Sequence, residues 1–446
     1  MKKVELPEAF VKRVSSDSFL GTPLLDALNE EQPVAIRINS LKGASVFNGL
    51  DAIPWSQNGF YLKERPVFTL DPHFHGGRYY PQEAGSQFID CILRQLPLPE
   101  NPVVLDLCAA PGGKSTLIAD FLGGKGLLLA NEVIQSRSRI LKENLTKWGA
   151  KNTLVSNNDP ADFETLNNTF DCILIDAPCS GEGMFRKDPD ARNEWSEESV
   201  NLCAARQKRI VMDVWDSLKP NGYLLYSTCT FNEQENESNV QWMLQQTDSE
   251  LVTVEIPHAK QGRNGIGNYA LPSELKTEGF YVVVIRKLGE ERVQKNKSKK
   301  KGTLTRIKPE NWLGEWVDTN QSELVQWNNY LFAVPADQLE LIERLHVQLR
   351  MIKLGTELGE ISRKGLIPNE ALALGNELLS DRIPDIQLSK EEALHYLKGE
   401  TFTLAAEKQG FHTVSFEGTK LGWIKHLGNR FNNLYPKEWR IRMRVD

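Results

Sequence analysis

A glycine-rich turn between an apolar run and a helical pattern constrains the fold more than any other segment. The run Val103–Leu107 is followed at once by Cys108-Ala109-Ala110-Pro111-Gly112-Gly113-Lys114. A strand that ends in such a turn and continues as a helix is typical of open α/β sheets, which bind ligands at the carboxyl ends of their strands. Similar apolar runs begin at residues 126, 172, 222 and 280, and helical spacing lies between most of them. This alternation predicts a doubly wound parallel sheet with helices on both faces.

Composition and patterning divide the 446 residues into four parts. Residues 1–75 predict a small α+β domain, because a short helical pattern precedes the alternating strand Val34–Asn39. The α/β core spans 76–287. Residues 288–304 are polar and rich in lysine without hydrophobic periodicity, so we interpret them as a linker. From 305 to 446 the pattern changes to helices and short strands, which predicts a separate C-terminal region.

Cysteine usage and the lack of long apolar runs limit the class of protein. Six cysteines without a CxxC pair predict neither a metal site nor a disulfide framework, and a reducing, cytoplasmic setting suits them. No run of about 18 apolar residues is present, so the sequence predicts no membrane span. The net charge of −6 is only a weak argument against a nucleic-acid partner, because binding depends on where the positive charge lies.

Two basic segments are candidates for contact with nucleic acid. Five of the seven residues from Lys295 to Lys301 are lysine, although a solvated linker explains this cluster equally well. Between residues 420 and 444, basic residues are mixed with aromatic ones, namely Trp423, Phe431, Tyr435 and Trp439. Cations contact phosphates, and aromatic rings stack on bases. We therefore expect the C-terminal region to bind RNA.

The glycine-rich turn is compatible with three classes of ligand. A P-loop needs a glycine where Cys108 stands, and a dinucleotide site needs G-x-G-x-x-G, which is missing. S-adenosylmethionine needs a turn that holds its amino-acid carboxylate and an acidic residue for its ribose hydroxyls. Glu132 ends the second strand, where nucleotide-binding sheets place such an acid, and Asp159 is a candidate acceptor for the adenine amino group. These features favour S-adenosylmethionine, with plain surface charge as the alternative for the two acids.

Two cysteines follow the fourth and fifth strands of the predicted sheet. Asp176 and Cys179 follow the fourth strand and Cys229 follows the fifth, so the three should converge at the edge that carries the turn. A thiolate that adds to carbon 6 of cytosine makes carbon 5 nucleophilic, and Asp176 could stabilise charge on ring nitrogen 3. Lys114 and the positive sulfur of the cofactor would favour the thiolate. The residues alone leave open which cysteine attacks, and packing as small core hydrophobes is the alternative for both.

Four motifs resemble the Fmu/Sun family of RNA (cytosine-5)-methyltransferases: YYPQEAGS at 79–86, CAAPGGK at 108–114, DAPCSGEG at 176–183 and STCT at 227–230. The resemblance implies a Rossmann-like methyltransferase core with an antiparallel last strand, a small N-terminal RNA-binding domain and a C-terminal PUA-like domain. It implies that Cys229 is the nucleophile, that Cys179 assists release, and that Asp176 contacts the cytosine. The implied cofactor site comprises Cys108, Ala109, Ala110, Pro111, Gly112, Gly113, Lys114, Glu132, Asp159 and Asp176.

The flanking regions bear on the substrate. The segments GWIK at 422–425 and NLYPK at 433–437 are similar to the PUA-like end of bacterial small-subunit ribosomal RNA methyltransferases. This similarity implies small-subunit ribosomal RNA, or the subunit itself, as the partner of a protein that we expect to be monomeric. Two alternatives stay open, namely the same reaction on transfer RNA and a non-catalytic RNA-binding assembly factor. The intact Asp176, Cys179 and Cys229 argue against the second alternative.

Overall fold

The computed structural model describes residues 4–43, 47–290, 304–308, 316–363, 365–379, 382–404 and 408–444. Most of the predicted linker, including the lysine cluster from Lys295 to Lys301, lies outside these residues. Within them, no helix has the length and apolar character that crossing a membrane requires.

The N-terminal part is a small antiparallel sheet with short helices. Its elements are α1 (Glu8–Ser16), α2 (Thr22–Ala27), β1 (Val34–Ile38), β2 (Asp51–Ala52), β3 (Gly59–Leu62), α3 (Pro72–His75) and β4 (Tyr79–Pro81). The strands pair in the order β2-β3-β1-β4, and all the pairings are antiparallel. The alternating pattern predicted as a strand is therefore an interior strand of this sheet.

The middle part alternates strands and helices. Its elements are α4 (Phe88–Gln95), β5 (Val103–Asp106), α5 (Gly113–Leu122), β6 (Leu127–Asn131), α6 (Gln135–Trp148), β7 (Thr153–Ser156), β8 (Phe170–Asp176), α7 (Pro189–Glu194), α8 (Glu197–Trp215), β9 (Leu218–Thr228), α9 (Glu237–Gln246), β10 (Ser249–Val252), β11 (Lys260–Gln261), β12 (Asn268–Ala270) and β13 (Phe280–Lys287). The strands pair in the order β11-β12-β13-β9-β8-β5-β6-β7, and β10 also pairs with β13. Strands β5 to β9 pair in parallel with one another, whereas β13 pairs antiparallel with β9. The predicted doubly wound sheet with an antiparallel last strand is confirmed.

The apolar runs form strands here because helices cover both faces of the sheet. In β5, Val103 and Leu105 lie in the hydrophobic core on one face, and Val104 lies in the core on the other. A strand that is buried on both faces has to be apolar along its length. The interior of these strands is therefore apolar, and an acidic residue stands at the carboxyl end, Asp106 in β5 and Asp176 in β8.

The C-terminal part contains two further sheets. Its elements are β14 (Thr305–Arg306), β15 (Ser322–Trp327), β16 (Tyr330–Pro335), α10 (Leu339–Gln348), β17 (Met351–Leu354), β18 (Thr356–Ser362), β19 (Gly365–Pro368), α11 (Glu370–Leu374), β20 (Asp385–Gln387), α12 (Lys390–Lys398), β21 (Gly410–Phe416), β22 (Thr419–His426) and β23 (Phe431–Asn433). The sheets run β14-β15-β16-β18-β19 and β20-β21-β22-β23. Strand β17 instead pairs antiparallel with β7, with Leu354 opposite Leu154. The C-terminal part therefore adds a strand to the core sheet, which the sequence did not predict.

In the sequence, the spacing of Asn232 and Glu235, and that of Ser389 and Glu392, is typical of a capping box and predicts a helix start at each place. The first of these predictions is wrong. Asn232 and Glu235 have the spacing of a capping box, but α9 begins at Glu237 and no side chain caps it. Glu235 N does donate a 2.9 Å hydrogen bond to Asn232 Oδ1. This bond closes a turn that precedes α9, and the side chains of both residues are directed into the protein. The capping box predicted at Ser389 and Glu392 is confirmed, because both of its reciprocal hydrogen bonds are present at the start of α12.

Candidate active site

The turn after β5 carries the predicted cofactor loop. Arg137 and Asn144, both on α6, donate hydrogen bonds of 2.8 Å to the carbonyl oxygens of Ala110 and Pro111. Gly112, just before α5, has a φ of 118°, a backbone conformation that side chains disfavour. The loop is therefore held by its neighbours in a shape that requires glycine.

Asp106 ends β5 beneath this loop and is completely buried. Its Oδ2 atom accepts a 2.6 Å hydrogen bond from the Ser115 hydroxyl, whereas its Oδ1 atom has no partner among the described residues. Burial raises the pKa of Asp106 to about 7, and the charges of Asp176 and Glu132 add to the effect. A buried acid with one unpartnered oxygen fits a site for a cationic ligand.

Glu132 and Asp159 follow β6 and β7 but differ in environment. Glu132 is 3% exposed, and its Oε1 atom accepts a 2.9 Å hydrogen bond from Ile134 N. Asp159 is half-exposed, caps the following helical turn and lies 3.7 Å from Arg209. Their roles toward the ribose and the adenine of the cofactor stay predictions.

The residues around the loop fit S-adenosylmethionine. This cofactor carries a sulfonium and an ammonium group, and the buried carboxylates of Asp106 and Glu132 offer the opposite charge. Helix α5 begins at Gly113, and a helix N-terminus favours a carboxylate such as that of the cofactor's amino-acid moiety. A Cβ atom at Gly113 would lie 3.3 Å from the ring of Tyr80. Glycine at this position therefore leaves space for a ligand beside the helix N-terminus.

Cys179 and Cys229 meet at the carboxyl ends of β8 and β9. Their sulfur atoms are 3.1 Å apart, and Cys229 N donates a 3.3 Å hydrogen bond to Cys179 Sγ. The contact follows from the parallel pairing of the two strands, in which Asp176 lies opposite Ser227. Both cysteines are partly exposed, whereas Cys172 within β8 is buried. A substrate can therefore reach this pair of sulfur atoms.

Lys114 and Asp176 form an ion pair near the two cysteines. Lys114 Nζ lies 2.8 Å from Asp176 Oδ2, and the Ser227 hydroxyl donates a 2.8 Å hydrogen bond to Asp176 Oδ1. Burial lowers the pKa of Lys114, but the attraction of Asp176 outweighs burial, so the pKa lies above its usual value. Lys114 is therefore a lasting positive charge that can face developing negative charge on a substrate.

The thiol environments of three cysteines favour the protonated form. The hydrogen bond with Cys229 and burial raise the pKa of Cys179 well above its ordinary value, and the charge of Glu235 adds to this. Burial also raises the pKa of Cys108 and of Cys172. Because the thiolate is the reactive form, Cys108 is suited to lining the cofactor loop rather than to reacting.

A buried carboxylate that sequence reasoning placed in a helix cap instead supports the Cys179 loop. Glu235 is completely buried and accepts hydrogen bonds from Ser180 N at 3.1 Å, Gln207 Nε2 at 2.7 Å and Asn232 Nδ2 at 2.7 Å. Ser180 follows Cys179 directly. These hydrogen bonds join the turn after β9 to the loop after β8. Only the inward direction of the Glu235 side chain distinguishes this arrangement from a helix cap.

A second buried carboxylate joins the N-terminal helix to the same loop. Glu182 is completely buried, and its Oε1 atom accepts hydrogen bonds from Arg13 at 2.5 Å and from Trp195 Nε1 at 3.1 Å. Its Oε2 atom accepts one of 3.0 Å from Phe231 N. Helix α1 is therefore part of the framework that positions the cysteines.

Arg37 of β1 supports the cofactor loop from the N-terminal sheet. It is 1% exposed, donates to Gln82 Oε1 at 3.0 Å and to Gly113 O at 3.3 Å, and lies 4.4 Å from the ring centre of Trp148. The segment around Arg37 resembles an RNA-binding domain in sequence. This arginine is used for packing, because burial keeps it from contact with RNA.

The expectation that C-terminal aromatic residues stack on bases is wrong for three of them. Trp423, Phe431 and Tyr435 are at most 3% exposed, because their rings form the core of this part while the neighbouring basic residues face outward. Trp439 is partly exposed, and Lys147 lies 5.1 Å from its ring centre. The exposed basic residues of the stretch are Lys425, Arg430, Lys437, Arg442 and Arg444. The surface of this stretch therefore offers cations to phosphates, and Trp439 alone among its four aromatic residues is open to contact with a base.

Known proteins match this chain along most of its length. A family model described as 16S rRNA methyltransferase RsmB/F matches residues 93–286. Models described as the N-terminal domain of 16S rRNA methyltransferase RsmF and the methyltransferase RsmF PUA domain match residues 6–84 and 383–441. A Shewanella loihica protein named ribosomal RNA small subunit methyltransferase F is 32% identical, and the match covers 91% of this chain and 88% of that protein. The chain belongs to the ribosomal RNA small subunit methyltransferase F family.

Other members of the methyltransferase F family and solved structures agree. The Klebsiella pneumoniae protein of the same name is 31% identical over 98% of this chain and 96% of its own length. A methyltransferase homologue from Pyrococcus horikoshii superposes with a TM-score of 0.55 at 29% identity, covering 63% of this chain and 95% of that one. The Pyrococcus horikoshii NSun6 structure with SFG has a TM-score of 0.54 at 22% identity, covers 65% and 99% of the two chains, and shows the same fold. The chain is a methyltransferase whose cofactor is S-adenosylmethionine.

Proposed function

We propose that the protein transfers a methyl group to carbon 5 of a cytosine in small-subunit ribosomal RNA, with Cys229 as the nucleophile. The observation that carries the proposal is the pair of sulfur atoms 3.1 Å apart beside the Lys114–Asp176 ion pair. The substrate follows from the names of the matched families and relatives. The PUA match at 383–441 and the exposed cations of this part support an RNA partner.

The first step forms a bond between Cys229 Sγ and carbon 6 of the cytosine. The electron pair of the carbon 5–carbon 6 double bond shifts to the bond between carbon 4 and carbon 5. Carbon 5 thereby becomes nucleophilic. A proton shared between Asp176 and ring nitrogen 3 neutralises the negative charge that develops on this nitrogen, and Lys114 balances the charge left on Asp176. The proton returns to Asp176 when the ring is restored. Cys179 stays a thiol, so it can donate a hydrogen bond to the Cys229 thiolate. When bound, S-adenosylmethionine supplies the methyl group.

The second step restores the aromatic ring. A base removes the proton from carbon 5, the electron pair reforms the double bond to carbon 6, and the sulfur–carbon bond breaks toward Cys229. Cys179 or an ordered water molecule accepts the proton. Cys179 can be this acceptor after its thiol proton has passed to solvent water; its raised pKa then makes the thiolate a strong base, and it lies 3.1 Å from the leaving sulfur.

The test is methyl transfer from labelled S-adenosylmethionine to small-subunit ribosomal RNA, assembled small subunits and transfer RNA, followed by analysis of the labelled nucleoside. We expect 5-methylcytidine in ribosomal RNA or subunits. Cys229→Ala should abolish the label, whereas Cys203→Ala, which changes another partly exposed cysteine, should not. Label in transfer RNA alone would overturn the substrate, and no transfer to any RNA would favour a non-catalytic assembly factor.

A cytoplasmic location and a monomeric state stay predictions from the sequence. Size-exclusion chromatography with light scattering would test the monomeric state, because the measured mass of a dimer would be twice the chain mass of 50.5 kDa.

A further inference from the structure

A cavity of about 430 Å³ lies behind the two cysteine loops. Its walls come from α1, the first turn of α8 and the turn after β9. The volume falls within the range of small-molecule sites. The reaction proposed above makes no use of this space.

The cavity adjoins the residues that directly follow the two cysteines in the chain. Asn232 lines it and donates hydrogen bonds of 2.8 Å to Thr230 Oγ1 and 3.3 Å to Ser180 Oγ. Thr230 follows Cys229 and Ser180 follows Cys179. A nucleotide chain that places a cytosine at the cysteines would therefore bring an adjoining nucleotide to the mouth of this cavity.

The chemistry of the lining suits a base and disfavours a phosphate. Trp195 and Val200 supply a buried apolar floor. Asn201 at the mouth is exposed, and its amide has no hydrogen-bond partner among the described residues. Glu197 and Glu233 also line the cavity, and neither carboxylate pairs with a cation within the described part of the chain. Carboxylates repel phosphate but accept hydrogen bonds from the amino and imino groups of bases.

Arg13 supplies a donor to the same cavity. Its guanidinium is paired with Glu182 through Nη2, whereas Nη1 is not among the buried polar atoms and has no hydrogen-bond partner among the described residues. An unpaired donor beside the free amide of Asn201 matches the carbonyl oxygen or ring nitrogen of a base.

We propose that this cavity receives an unpaired base adjoining the target cytosine, a base that carries an exocyclic amino group. The inference rests on the proposed function, since the cysteines define where the target lies. Sequence-specific proteins recognise RNA mainly through unpaired bases that are splayed out into such pockets.

The first test fills the mouth of the cavity without touching the cysteines. Asn201→Trp places a large ring at the exposed mouth, and Leu202→Trp is the matched control, because Leu202 is 60% exposed on the same helix and does not line the cavity. We expect Asn201→Trp to raise KM and Kd for the RNA by about tenfold, in keeping with the loss of one bound base. The KM for S-adenosylmethionine should not change. Equal RNA affinities for the two variants would overturn the proposal.

The second test removes the base rather than the cavity. RNA that lacks the bases on either side of the methylated cytosine should bind the wild type about as weakly as intact RNA binds Asn201→Trp, and the two changes should not add. Additive losses would contradict the proposal. A wild type that binds intact RNA without transferring methyl would overturn the proposed function, whereas the Kd ratio of the two variants would still decide the role of the cavity.

Discussion

The sulfur atoms of Cys179 and Cys229 lie 3.1 Å apart although the two residues are separated by 50 positions in the chain. Parallel strands β8 and β9 end at the same edge of the sheet, and each leads directly into one of the cysteine loops. The carboxylates of Glu235 and Glu182 then hold the loops in place. The close approach of the two thiols therefore depends on strand pairing and on two buried acids.

Oxidation should link Cys179 and Cys229. Diamide takes up two thiol hydrogens and leaves a disulfide, and a sulfur contact of 3.1 Å needs to shorten by only about 1 Å to reach a bonded distance. We expect one disulfide-linked peptide pair in mass spectrometry, loss of methyl transfer, and recovery with dithiothreitol. Cys91 and Cys203, which are also partly exposed, should stay alkylatable. Free Cys179 and Cys229 after complete inactivation would contradict this expectation.

Replacement of Lys114 should slow the chemical step. Lys114→Gln removes the positive charge 2.8 Å from Asp176, and we expect kcat to fall roughly 100-fold, as for the loss of other groups that stabilise transition-state charge. The control is Lys125→Gln, which removes a lysine from an exposed ion pair of 2.9 Å and should leave kcat unchanged. An unchanged kcat in Lys114→Gln would remove this residue from the mechanism.

Loss of Glu235 should affect both the stability and the pH dependence of methyl transfer. Glu235→Ala removes the acceptor of three hydrogen bonds and leaves Ser180 N without its acceptor, and we expect the free energy of unfolding to fall by about 3 kcal/mol. Because the charge of Glu235 helps to raise the pKa of Cys179, Glu235→Gln should shift the alkaline limb of the pH–rate profile to lower pH. Glu250→Gln, at an exposed position, is the control. A profile that does not move would assign Glu235 a purely structural role.

The stability of the cofactor-free protein should depend on Asp106. Its pKa is raised from 3.8 to about 7 on folding, so the folded state binds the extra proton between these values. The free energy of unfolding therefore falls as pH rises from 4 to 7, by roughly 4 kcal/mol from this residue. Asp106→Asn cannot ionise at this position. In urea unfolding, the free energy of unfolding of this variant should therefore rise relative to that of the wild type as the pH increases from 4 to 7. Parallel stability curves would contradict the raised pKa.

Much of the site could be predicted because its residues stand at strand ends. Asp176, Cys179 and Cys229 each close or follow an apolar run, and parallel strands bring such positions to one edge of the sheet. Asp106, which ends β5, was not predicted as a site residue. The parallel part of the sheet follows from the βα alternation, and the antiparallel last strand follows from the family resemblance.

The supporting contacts could not be predicted because they join residues that are distant in sequence. Arg13 reaches Glu182 across 169 positions and Arg37 reaches Gly113 across 76, and no local pattern marks either pair. The spacing of Asn232 and Glu235 fits a helix cap and an inward turn equally well. Trp423 and Phe431 stand among basic residues, but their positions in β22 and β23 direct their rings into the core.

The most direct measurement is the search for a covalent enzyme–RNA adduct with Cys179→Ala, Cys229→Ala and the double variant, by denaturing gel after incubation with small-subunit ribosomal RNA and S-adenosylmethionine. Cys179→Ala should attack but fail to release, so it should accumulate an adduct that the double variant lacks. Cys229→Ala should form none. An adduct in Cys229→Ala that is absent from Cys179→Ala would reverse the roles of the two cysteines and contradict the proposed mechanism.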